Sequence, residues 1–231
     1  MGKDTGQNIN KEGMGMKRMI FLMAGLFGFL SFYQAAVTPM AYSETAQEVQ
    51  PHTAQPASDF KKAHESFLEK DFKTSAAEIR KGSDFLRKEA ETAGIQGKKM
   101  LAASSRELDK LADSVEKGAV KSDKELKSTF SRAEHAVANN EYVKATDAWA
   151  RKETKEAGHV LNSAAEHMEQ AAEWAGHKLK AGASKAIKAG REVSGKLVEG
   201  TRYVPEEVGK ALKSMGDAIS DFGKKILPGK K

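Results

Sequence analysis

Apolar and small residues recur along this chain at helical steps rather than alternating. From Phe72 through Ala76, Ile79, Ser83, Leu86 and Ala90 the steps are 4, 3, 4, 3 and 4, the stripe of a helix that packs on other helices. Leu101, Ser104, Leu108, Leu111 and Val115 predict a further helix ended by Gly118, and Leu126, Phe130, Ala133 and Val137 predict the next. A short leading helix carries Phe60, Ala63 and Phe67, with Ser58 expected as its cap and Asp71 as the cap of its successor. Gly94 is expected to close the Phe72–Ala90 helix in the left-handed conformation. Ser122-Asp123-Lys124-Glu125 has the form of a capping box. Asn139-Asn140 reads as an interruption, with Asn140 capping a long helix from Glu141 to about Lys178, a rod of roughly 55 Å.

These stripes predict an all-α fold: an antiparallel bundle of about five helices over residues 58–178, with that long helix as its spine. Its expected core anchors are Phe72, Ile79, Leu86, Leu108, Leu111, Phe130, Tyr142, Trp149, Leu161, Met168 and Trp174. A faint repeat at an offset of 70 sets Phe60 against Phe130, Phe72 against Tyr142 and Ile79 against Trp149.

Beyond Leu179 the pattern weakens. Gly182, Gly190, Gly195 and Gly200 interrupt it, at about 1 kcal/mol each inside a helix. A stronger amphipathic helix follows Pro205, with proline at its first turn and Glu206 and Glu207 facing the dipole. Its stripe is Val208, Leu212, Met215, Ile219, Phe222 and Ile226. Residues 179–231 are therefore expected to form a basic, Gly/Ala-rich extension of the bundle.

The N-terminal pattern is different. Met16-Lys17-Arg18 precedes the uncharged apolar run Met19 to Phe32, and Ala41-Tyr42-Ser43 offers a cleavage site before Glu44. Residues 1–43 have the form of an export signal. The alternative is an uncleaved anchor, because Met19 to Val37 approaches the roughly 20 residues that span a bilayer. Residues 44–57 read as a linker.

Composition narrows the chemistry. The absence of cysteine excludes disulfides, thiol catalysis and thiolate-bound metals. The net charge of +6 comes from the C-terminal part, where residues 178–231 hold 13 Lys+Arg against 6 Asp+Glu, whereas residues 44–177 are mildly acidic. That distribution argues against a nucleic-acid-binding bundle. Gly190-Arg-Glu-Val-Ser-Gly195-Lys196 has phosphate-loop spacing, yet Leu197 stands where Ser or Thr would hold magnesium and no strand precedes it. Glu156-Ala-Gly-His159 is a single Glu-x-x-His pair without the second that a di-metal bundle needs. His159, His167 and His177 are too dispersed to share an ion and read as surface or boundary residues. Trp149 and Trp174 read as packing anchors rather than a ligand wall.

No cofactor and no catalytic set is expected. The sequence points to an exported, non-catalytic bundle of the cell envelope, periplasmic or associated with the inner membrane, that binds a partner protein or an apolar ligand. The alternative is an anionic membrane surface engaged by the C-terminal stripe, and a single metal or haem site is the third reading.

Overall fold

The computed structural model describes residues 55–176 and 179–227. Every regular element among them is helical: α1 (Ala57–Leu68), α2 (Phe72–Thr92), α3 (Ile95–Glu116), α4 (Asp123–Ala150), α5 (Thr154–Trp174), α6 (Ala181–Glu199) and α7 (Pro205–Ile226). The export-signal residues and residues 44–54 of the linker lie outside the described residues.

Several caps follow from local chemistry. Asp71 accepts a hydrogen bond from the Thr74 amide at 3.1 Å, and Ser122 accepts from Lys124 at 3.2 Å, each satisfying an amide free at a helix start. Gly118 and Gly200 follow α3 and α6 with φ of 63° and 70°, the left-handed region in which glycine carries no Cβ penalty. Other expectations fail. Pro56, not Ser58, precedes α1, without a side-chain cap bond. Gly94 is extended and begins α3 instead of ending α2.

The largest correction concerns the spine. No helix runs from Glu141 to Lys178. The continuous helix is α4, which passes straight through Asn139-Asn140, and the chain turns instead at Arg151-Lys152-Glu153, where Lys152 has φ 63°. Packing overrides the asparagines' preference for turns. Asn140 is 2% exposed, and its amide Nδ2 donates to Glu89 at 3.4 Å. Five described helices lie between Ala57 and Trp174, and α6 and α7 follow. The turn moves a helix boundary without adding a helix, and α6 forms despite its glycines. Ser194 Oγ donates to the Gly158 carbonyl at 2.6 Å, and a Cβ on Gly158 would lie 2.9 Å from the Ser194 carbonyl. Small residues let α5 and α6 approach closely, and the contact offsets the propensity cost.

The offset of 70 is replaced by a repeat of 82. Helices α2 and α5 start 82 residues apart at Phe72 and Thr154, and α4 and α7 at Asp123 and Pro205. The left-handed residues Lys70 and Lys152, and Gly118 and Gly200, keep the same spacing. Asp59-Phe60-Lys61-Lys62-Ala63 aligns with Glu141-Tyr142-Val143-Lys144-Ala145, and Glu65-Ser66-Phe67 with Asp147-Ala148-Trp149. Each unit is four helices: α1, α2, α3 and the first part of α4, then the last part of α4, α5, α6 and α7. The buried apolar residues fall into two clusters, one from Phe60 to Val137 and one from Ala138 to Phe222. One helix belongs to both units, as in helical arrays whose units pack only on their neighbours.

Candidate functional site

Where the two units meet along α4, the interior is polar. Ser131 Oγ donates to the Ala171 carbonyl at 2.7 Å. One helical turn on, His167 Nδ1–H donates to Glu134 Oε2 at 2.6 Å, with both side chains at 2% exposure or less. Toward α2, Lys144 Nζ bridges Glu89 at 2.6 Å and Glu141 at 3.0 Å. The residues between these contacts are small, including Ala138, Ala164 and Ala171, all buried. At the far end Trp174 meets Phe130 and His64 edge to face, at 5.2 and 5.6 Å between ring centroids.

Burial and charge set the protonation of these groups. For His167, burial disfavours the imidazolium, but the hydrogen bond and charge of Glu134, then Glu141 and Glu166, outweigh it and hold the pKa above its ordinary value. Burial pushes the Glu141 carboxyl up, against the pull of Lys144. Its repeat counterpart Asp59 is likewise pushed up, by burial and then by Glu78. Lys144 is held above its ordinary value, since Glu141 and Glu89 outweigh its burial. Removing charges from water costs several kcal/mol per ion, so the seam contributes chiefly to registration of the two units.

On the opposite side of α4, His135 contacts α7. Its Nε2 lies 2.9 Å from the Ile219 carbonyl; a carbonyl only accepts, so Nε2 carries the proton. Nδ1 is then an acceptor, buried without a partner. Burial lowers the His135 pKa. A depressed histidine contributes stability that is complete above about 6.5 and is lost as pH falls through its folded-state value. We therefore expect the thermal midpoint to fall on acidification below about pH 6.5. His135→Gln, which keeps a donor but does not titrate, should shed most of that dependence; an unchanged profile would contradict the assignment.

The C-terminal stripe is not an exposed face. Val208, Leu212, Met215, Ile219 and Phe222 are buried in the second core, and Ile226 packs partly buried against it. Of the expected anchors, Ile79, Leu86, Leu108, Leu111 and Phe130 are buried in the first unit, with Phe72 and Trp174 against them. Leu161 and Met168 are buried in the second, with Tyr142 and Trp149 against them. Trp149 packs on Tyr203, which follows it in the chain, at 5.9 Å.

Among the candidate ligands, His159 and Glu156 are exposed, and His177 lies outside the described residues. His167 is at the seam, not at the surface or its boundary as its spacing suggested. The phosphate-loop string is part of α6, where Gly190 lies under Met215 and Lys196 binds Glu207 at 2.6 Å. Among the described residues no three His, Asp or Glu side chains converge as metal ligands, and no helix is long and apolar enough to cross a membrane.

Glu134 and His135 escaped the sequence reading. Their signal was a charged pair inside Ala133–Ala138, where the stripe already marked both flanks as buried. Comparison of the chain with known protein families, curated proteins and solved structures finds no match.

Proposed function

We propose that this protein is an exported, non-catalytic helical-repeat scaffold of the cell envelope that binds a helical segment of a partner protein. Export rests on the charged, apolar and small-residue order of residues 16–43. Partner binding rests on one observation, an open groove at the end of the array. It lies between α6 and α7 and encloses about 360 Å³, lined by Leu179, Gly182, Ala183, Asp217, Asp221 and Phe222 among others. One repeat earlier, Gly182, Asp217 and Asp221 correspond to Met100, His135 and Asn139. Those three line the surface that the C-terminal half of α7 flanks through Ile219, Gly223 and Leu227.

The counterpart contact defines the chemistry of the occupant. It is an amphipathic helix that brings a short apolar stripe and a small residue to the crossing, as Ile219 and Gly223 do at His135. Asp217 and Asp221 on the groove are already paired with Lys213 and Lys224, and Lys180 and Lys225 also line it, so its charge is balanced and its apolar and small residues carry the recognition. Helix-in-groove recognition of this kind reads apolar anchors at i, i+3 and i+4. The membrane reading has less support, because the apolar stripe it requires is already buried within the fold.

A photo-crosslinking residue at Ser214, an exposed residue of the groove lining, should in cells capture one envelope protein through a helical segment. Ala183→Trp, which fills the groove, should abolish capture while leaving helical content unchanged. Capture that survives the filled groove, or equal capture from Lys88 on the exposed face of α2, would contradict the proposal.

A further inference from the structure

The seam bears on how the two units move. Glu134 belongs to the first unit and His167 to the second, and their 2.6 Å contact is buried in a strip of alanine and serine. Each unit holds itself together with leucine, isoleucine, methionine and phenylalanine. Across this strip the large apolar contact is at its end, where Trp174 meets Phe130. Along the strip itself the side chains that cross are Ser131, on the Ala171 carbonyl, and this fully buried pair. Glu134 Oε1 has no partner, so the carboxylate depends on His167 for its compensation.

We propose that the Glu134–His167 pair is a pH-controlled latch between the two four-helix units. With His167 protonated the units unfold and move as one body; with His167 neutral they part about the middle of α4. Loss of the imidazolium charge leaves a buried carboxylate beside Glu141 of α4 and near Glu166 of α5, with no cation in direct contact. Lys144 is one step away and already shared between Glu141 and Glu89. From the other face of α4, His135 meets α7, whose nearest charged side chain, Lys224, is paired with Asp221 at 2.8 Å.

The direction follows from linkage. His167 is held above its ordinary value, so the latch is complete below about pH 6.5 and is lost as pH rises through the folded-state pKa. The two tryptophans report separately, Trp174 from the seam and Trp149 from the second unit.

Urea unfolding should be followed in Trp149→Phe and Trp174→Phe versions of the protein, at about pH 6 and about pH 9. The two curves should coincide at the lower pH. At the higher pH the seam signal should move to lower urea, and His167→Gln should separate the curves at both. Glu134→Gln/His167→Gln, neutral throughout, should behave identically at the two pH values. Coincident curves at both pH values in the wild-type background would overturn the latch, as would a pH-dependent separation that persists in the double variant.

Discussion

His167→Ala is expected to lower the unfolding free energy by about 3–5 kcal/mol, because it leaves the Glu134 carboxylate buried and unpaired. Glu134 and His167 are 0% and 1% exposed, so solvent does not screen the loss. Replacing both by leucine should restore most of the stability, or exceed the parent, since a packed apolar pair carries no desolvation cost. The double-mutant cycle in urea at neutral pH measures the coupling. A His167→Ala cost below about 1 kcal/mol, the value for an exposed pair, would place the contact at the surface.

Phe60→Ala is the second large effect, at about 3–5 kcal/mol. Phe60 is fully buried and stacks on Phe130, with ring centroids 4.5 Å apart and planes 9° from parallel. Its ring lies on Gly82, where any Cβ would collide with it, so α1 and α2 enclose a space that no other side chain fills. Its counterpart Tyr142 is only partly buried, with its hydroxyl toward Gly216. Tyr142→Ala should therefore cost about half as much, in proportion to the area it removes from water. Circular dichroism melts of the two variants settle the order, and a larger loss for Tyr142 would reverse the assignment of the tighter unit.

Helical class was legible because steps of three and four leave little room for another reading, and all the larger aliphatic anchors lie in the cores. Boundaries were less so. Asn139-Asn140 has turn chemistry, and only Glu89, distant in sequence, shows why the helix continues. The true corner at Arg151–Glu153 carries no glycine or proline; Lys152 adopts a left-handed conformation usually left to glycine or asparagine. At an offset of 70, Lys70-Asp71-Phe72 stands against Asn140-Glu141-Tyr142, whereas the structural partner of Glu141-Tyr142 is Asp59-Phe60. Both pairings join an acid to an aromatic. The shared Lys62/Lys144, Ala63/Ala145, Lys70/Lys152 and Gly118/Gly200 distinguish them.

The candidate site was legible in part. The stripe of α7 reads from the sequence, but its burial depends on where α4 and α5 lie. The groove at the end of the array depends on how α6 and α7 pack on each other, which spacing along the chain does not give. Spacing along one helix placed His167 but could not show Glu134 opposite it on another.

The central claim is that one unbroken helix is shared by both units. Native-state hydrogen exchange along residues 123–150 tests it most directly. At about pH 6, where His167 is protonated, a continuous, buried α4 predicts slow exchange through residues 130–148 without a gap, Asn139 and Asn140 included. Fast exchange confined to about residues 138–142, between protected flanks, would contradict it and restore two separate helices.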